Sequence, residues 1–175
     1  GVSSERRSYI PIGFLSPEII CSNLVKIISD ATLFHFGVLS SAMHMAWVRQ
    51  VCGRLELRYR YSNKLVYNNF PWPENPTAKQ REAVESAAQK VLAARKQFPA
   101  ATRADLYDPL AMPPALVKAH AELDAAVDKC YRAEKFATER QRVEYLFALY
   151  EKLTAPLLPV TKSKIKSARV RKITP

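Results

Sequence analysis

A chain of 175 residues with 48% hydrophobic content is long enough to bury a core in one domain or two small ones. Its formal net charge of +11 points toward a polyanionic partner, and the excess is uneven: Lys plus Arg stand 8 against 5 Asp plus Glu over residues 1–76, 13 against 11 over 77–158, and 6 against 0 over 159–175. Cys21, Cys52 and Cys130 are odd in number and widely spaced, which argues against a disulfide framework or zinc knuckle and fits a reducing cytoplasm, and no signal peptide or membrane-length apolar run is present.

Residues 9–35 read as short extended pieces, Tyr9 to Phe14, Ile19 to Cys21 and Leu24 to Ile28, rich in β-branched side chains and broken by Pro17 and Asn23. From about Leu33 to Cys52 the period changes. Leu39, Met43 and Trp47 recur every four residues, apolar side chains cover much of the circumference, and Gly53 stands where a left-handed residue would stop the helix. That predicts one buried helix against those strands. Residues 54–70 return to extended structure or an ordered loop.

Past Pro76 the pattern is helical. Thr77 with Gln80 makes a capping box ahead of a core face of Val84, Ala87, Ala88, Val91 and Leu92, ended by Pro99. Pro113 and Pro114 suit the first turn of a second helix, where missing amide hydrogens cost nothing, and this helix buries Leu116, Leu123, Val127, Cys130 and Tyr131. Thr138 with Gln141 opens a third, burying Val143, Leu146, Phe147, Tyr150 and Leu153 until Pro156. The expected fold class is α+β with helix predominating: short strands packed on a buried helix over residues 1–73, a three-helix bundle over 77–158, and a basic flexible tail over 159–175. The tail's Lys162, Lys164, Lys166, Arg169, Arg171 and Lys172 would attract any phosphate backbone.

The stretch from Arg54 to Pro73 interleaves cations, aromatic rings and amides, the groups that bind phosphate, stack on bases and read base edges. Arg49, Arg54, Arg58, Arg60 and Lys64 are opposed locally by Glu56 alone. Strand alternation would place Arg58 and Arg60 on one face as a cationic ridge, backed by Tyr59 and Tyr61 on the other. The same alternation also describes a strand with one wet and one buried face. Asn63 and Asn68 have the donor and acceptor that read adenine, although Asn is equally a turn residue. Pro71-Trp72-Pro73 reads as a rigid, packed exit from this region. His35, His44 and His120 lack ligand spacing, so packing or hydrogen-bonding roles are expected and no metal site. Ser40 and Ser62 lack a nucleophile elbow, and no catalytic residue is assigned.

Together with Phe34-His35-Phe36-Gly37-Val38-Leu39-Ser40-Ser41-Ala42-Met43-His44-Met45-Ala46-Trp47-Val48-Arg49 and Val51-Cys52-Gly53-Arg54-Leu55, this stretch resembles the C-terminal part of large SAM-dependent adenine-specific DNA methyltransferases of the MmeI-like type. In that family a Gly-Val-Leu-x-Ser-x-Met-His-x-x-Trp helix, a Gly-Arg-Leu turn, a Tyr-Arg-Tyr-Ser segment and a Tyr-Asn-Asn-Phe-Pro-Trp-Pro ending close the target-recognition region ahead of a helical tail. The match extends over residues 8–158, returning strongly at Asp105-Leu106-Tyr107-Asp108-Pro109-Leu110-Ala111-Met112-Pro113-Pro114. Such an enzyme needs a Gly-rich loop for S-adenosylmethionine and an Asn/Asp-Pro-Pro-Tyr/Phe motif for a flipped adenine. The chain has only four Gly, none as Gly-x-Gly, and Asn69-Phe70-Pro71-Trp72 carries Phe where the first proline should stand. The resemblance therefore implies a piece of a larger enzyme, with which the leading Gly1 in place of Met agrees.

The function expected from this reading is recognition of double-stranded DNA through Arg49, Arg54, Arg58, Arg60, Tyr61, Asn63, Lys64 and Asn68, beside the parent's catalytic methyltransferase domain. S-adenosylmethionine is then the parent's cofactor, with none held by this chain. The rival is a structural or protein-interaction module, bracing the parent or a partner subunit without touching DNA.

Overall fold

The computed structural model describes residues 2–23 and 25–155. In chain order these form β1 (Val2–Ser3), α1 (Leu33–Leu39), α2 (Ala42–Val51), β2 (Gly53–Leu55) and β3 (Arg58–Arg60). A π-helical turn at Asn63–Tyr67 follows, then α3 (Ala78–Lys96), α4 (Arg103–Leu106), α5 (Pro114–Tyr131) and α6 (Glu139–Thr154). Helix predominates, with one small antiparallel sheet in the order β1-β3-β2, in keeping with the α+β expectation.

Of the stretches expected to be extended, that over 54–70 supplies β2 and β3, whereas those over 9–28 supply none. Tyr9 to Phe14 and Ile19 to Cys21 form no strand, nor do the described residues between Val25 and Ile28. The sheet order β1-β3-β2 leaves this segment unpaired, and its apolar side chains are buried against helices rather than along a ladder. The segment instead lies as a strap over the helices: Tyr9, Ile10 and Ile12 pack on the core, Tyr9 donates to Asp124 Oδ2 at 2.7 Å, and Arg95 Nη1 donates to the Ile12 carbonyl at 2.7 Å.

The single helix expected over 33–52 is two helices. Ser40 and Ser41 break it: the Ser41 hydroxyl accepts from the His44 amide at 3.4 Å and caps α2, while the Ala42 amide donates to Asp124 Oδ1 at 2.7 Å. Leu39, Met43 and Trp47 are nevertheless all buried. Gly53 is not a left-handed stop. Cys52 leaves α2 in extended conformation and Gly53 starts β2.

The later helices begin where local chemistry placed them. Thr77 Oγ1 accepts from the Gln80 amide at 3.3 Å while Gln80 Oε1 accepts from the Thr77 amide at 2.8 Å, a complete capping box. Helices α3 and α5 lie antiparallel, since Gln80 reaches the Lys129 carbonyl at one end and Lys90 pairs with Glu122 further along. Helix α6 packs on α2, Trp47 meeting Phe147 and Tyr150, and on the end of α5 through the Arg142–Asp128 pair at 2.6 Å. Because α6 is covered on one side only, Phe147 and Leu153 remain 42% and 48% exposed, contrary to their expected burial. One core runs through Phe36, Met43, Trp47 and Phe70 into Val84, Val91, Leu116, Leu123 and Leu146. Among the described residues no helix is long and apolar enough to cross a membrane. The basic tail over 159–175 lies outside the described residues.

Candidate nucleic-acid interface

The stretch beginning at Arg54 folds as a hairpin directly after α2. Gly53, Arg54 and Leu55 pair with Arg60, Tyr59 and Arg58, which leaves Glu56 and Leu57 as a two-residue loop. Glu56 takes a left-handed φ of 55°, so the loop turns without the Gly or Asn such loops usually use. Alternation holds on β3: Arg58 and Arg60 are exposed while Tyr59 is 3% exposed. Arg58 Nη2 pairs with Glu56 Oε2 at 2.8 Å across the loop, and among the described residues Arg60 has no ion-pair partner. An acceptor and a guanidinium fork thus stand side by side at an exposed tip, beside Leu57 at 73% exposure.

The eight expected residues are not brought together as one patch. Arg58 and Arg60 share a face. Arg54, directly opposite Tyr59, belongs to the other face, its guanidinium carbon 4.0 Å from the Tyr59 ring centre. Arg49 is engaged elsewhere, in an ion pair with Glu139 at the start of α6. Tyr61 is half-buried and its hydroxyl pairs with His44 Nε2 at 2.9 Å. Burial pushes the Tyr61 phenol above its ordinary range. Lys64 lies exposed in the π-helical turn, whose Asn63 carbonyl accepts from the Asn68 amide at 2.8 Å. Asn63 and Asn68 both hold exposed positions there. Glu56 is the residue that sequence reasoning passed over, having counted it only as an opposing charge; its place between Leu55 and Arg58 was the available signal.

The π-helical turn and the chain leaving it are held by aromatic packing and buried polar pairs. Trp47 Nε1 donates to the Val66 carbonyl at 3.1 Å, and Phe70 packs edge-on against His44. Pro71 and Phe70 are buried, and Tyr131 donates to the Pro71 carbonyl at 3.0 Å, so the Pro-Trp-Pro corner is the packed exit that was expected. His35 caps α1, its Nδ1 accepting from the Thr32 amide at 3.2 Å. Burial drives the His44 imidazole down to about 3 and His120, paired with Tyr107 at 2.7 Å, also to about 3 with Arg95 adding to the effect. Asp124 is pushed up to about 6 by burial, against the opposing pull of the Ala42 amide and Tyr9 hydroxyl.

A groove of about 680 Å³ lies between the strap, α1 and the π-helical turn, lined by His35, Tyr61, Asn63, Tyr67, Asn68 and mainly apolar neighbours. These residues do not fit S-adenosylmethionine: Asp30 is the one carboxylate in the lining, and Gly13, Gly37 and Gly53 lie in the strap, inside α1 and at the start of β2 rather than in a loop closing a strand. Among the described residues no cluster of His, Cys, Asp and Glu could hold a metal ion.

Comparison with known proteins gives a coherent result. The family models described as the MmeI target recognition domain and the MmeI C-terminal domain match residues 1–74 and 76–158. DNA methyltransferase A of Bacillus subtilis (strain 168) is 44% identical over 153 residues, covering 87% of this chain and 17% of that protein. A solved structure of the Type IIL restriction-modification enzyme MmeI in complex with DNA shares 49% identity with a TM-score of 0.84, covering 88% of this chain and 20% of that one. The chain therefore spans about a fifth or less of the length of these relatives.

Proposed function

The chain belongs to the MmeI family, of which it carries the target recognition and C-terminal domains, and from that premise we propose that its β2–β3 hairpin contacts double-stranded DNA. The observation that carries the proposal is the exposed β2–β3 hairpin, whose outward face bears Arg58 and Arg60 and whose tip, two strands wide beyond the reach of β1, bears the Glu56–Arg58 pair. A two-stranded tip is of a width that the major groove admits, where a guanidinium can grip guanine or phosphate and a carboxylate can accept from cytosine N4. Asn63, Lys64 and Asn68 on the adjoining turn extend the same surface. The MmeI structure that this chain resembles contains DNA, which supports the reading. Residues 1–73 then serve recognition, and 77–158 form the helical support for it. In the whole enzyme, acting in a bacterial cytoplasm, methyl transfer from S-adenosylmethionine to adenine would fall to the part of the polypeptide beyond this chain.

The test is duplex binding across a salt series. If Arg58 and Arg60 each neutralise one phosphate, replacing both by Ala lowers the slope of log affinity against log salt by about two. Circular dichroism should not change, since both side chains are exposed. An unchanged slope and affinity with an unchanged spectrum would reduce the ridge to a solvated strand face and favour the bracing module instead.

A further inference from the structure

We infer that Arg54 is a positioning residue that fixes the pose of the hairpin from its inner face and makes no DNA contact of its own. The inference rests on the reading of the hairpin as the DNA-contacting element. Register is the first argument. Directly opposed residues of an antiparallel pair point to the same face, so Arg54, opposite Tyr59, lies on the inner face although it stays exposed at the edge of the sheet, while Leu55 and Gly53 oppose Arg58 and Arg60 on the outer one. Five cations read from sequence as one constellation are thereby divided by the pleat.

Contacts are the second argument. The Arg54 guanidinium lies 4.0 Å from the centre of the Tyr59 ring, and its Nη1 donates to the Leu57 carbonyl at 3.1 Å. One planar group thus ties the loop tip to a ring that is itself 3% exposed and part of the core. The loop needs such a tie. A glutamate at φ 55° is a sparsely populated conformation that persists when its surroundings over-determine it, and here those surroundings are Arg54 on one side and Arg58 on the other. Lysine cannot reproduce the arrangement, because a compact ammonium lacks the planar fork that stacks and donates at once.

The experiment uses the full chain with R54A, R54K and R58A variants, a random-sequence duplex of about 20 base pairs, a salt series, and ¹⁵N relaxation at Glu56 and Leu57. R54A and R54K should each lose about fivefold in affinity at constant salt slope, the loss expected from one exposed cation–π contact and one hydrogen bond. Both should also raise the mobility of Glu56 and Leu57, whereas R58A lowers the slope by about one. A slope lowered by about one in R54A and restored in R54K would make Arg54 a phosphate contact and overturn the inference. So would wild-type affinity together with wild-type relaxation in R54A. If R58A leaves both slope and affinity untouched, it is the DNA reading of the hairpin that fails, and the relaxation data still decide whether Arg54 holds the loop.

Discussion

Acid should destabilise this protein through two buried histidines. His44 is 1% exposed, packed edge-on to Phe70 with its Nε2 on Tyr61, and its Nδ1 has no partner among the described residues. His120 is fully buried, stacked on Tyr9 at 4.0 Å and bonded to Tyr107. Both are held near 3 against an ordinary value of 6.5, so in acid the unfolded chain binds protons that the folded one refuses. A depressed folded value means stability that is fully present above pH 6.5 and is lost as pH falls toward about 3. At 1.36 kcal/mol per pH unit, each imidazole costs about 2 kcal/mol by pH 5, about 4 together. Asp124 works the other way: its folded value of about 6 lies above the ordinary 3.8, so its contribution grows as pH falls through 6. That returns about 1 kcal/mol by pH 5 and leaves a net loss of about 3, a large share of the 5–15 typical of a domain. Urea unfolding from pH 7.5 to 5 measures the loss, and the ¹H–¹³C signals of the two rings should keep their neutral positions down to about pH 4. A flat stability curve, or ring signals titrating above pH 6, would refute the argument.

Asp124→Asn should remove the opposing contribution. The Asn carbonyl still accepts from the Ala42 amide, the Tyr9 hydroxyl must turn acceptor toward the new NH₂, and stability above pH 7 should hold or rise by about 1–3 kcal/mol, read from denaturation midpoints. Gly37→Ala should destabilise by about 1–3 kcal/mol, because a Cβ there would stand 2.6 Å from Val84 Cγ1, which belongs to a fully buried β-branched side chain with nowhere to move. Adding Val84→Ala should recover part of that loss, and a neutral single variant would show the α1–α3 crossing to be looser than it is drawn.

What the sequence disclosed was local. The Thr77–Gln80 capping box closes within one turn, and the alternation of Arg58, Tyr59 and Arg60 needs no knowledge of the partner strand. What it withheld was set by distant partners. Ile10 and Ile12 have strand-forming side chains, yet their apolar groups are buried against the helical core, a partner that local sequence does not show. Arg49 looked like part of a cationic patch until Glu139, far along the chain, came beside it. The face that Arg54 occupies follows from hairpin register, which is set by a Glu56–Leu57 loop that carries none of the usual Gly or Asn signal. The Ser40–Ser41 break was masked by an apolar period that runs through it unbroken, although both serines are good capping residues.

On the proposed function, what the hairpin can read depends on the helices behind it. The hairpin follows α2 after a single extended residue, so the direction in which Arg58 and Arg60 point is fixed by how α2 sits. Helix α2 is held at its start by Asp124 of α5, along its flank by Trp47 against α6, and through Arg49 by Glu139. The return of the chain is pinned by Tyr131 of α5 at the Pro71 carbonyl. Each of these tethers joins the first 74 residues to a helix of the second part, and none is at the hairpin's outer face. A groove reader must hold its side chains within a fraction of an ångström, and a three-residue ribbon pair cannot do so unaided. The helices supply that stiffness: on the proposed function, weakening a tether such as Asp124 should blur DNA discrimination before it changes the salt slope, because orientation is lost while every phosphate-binding cation is kept.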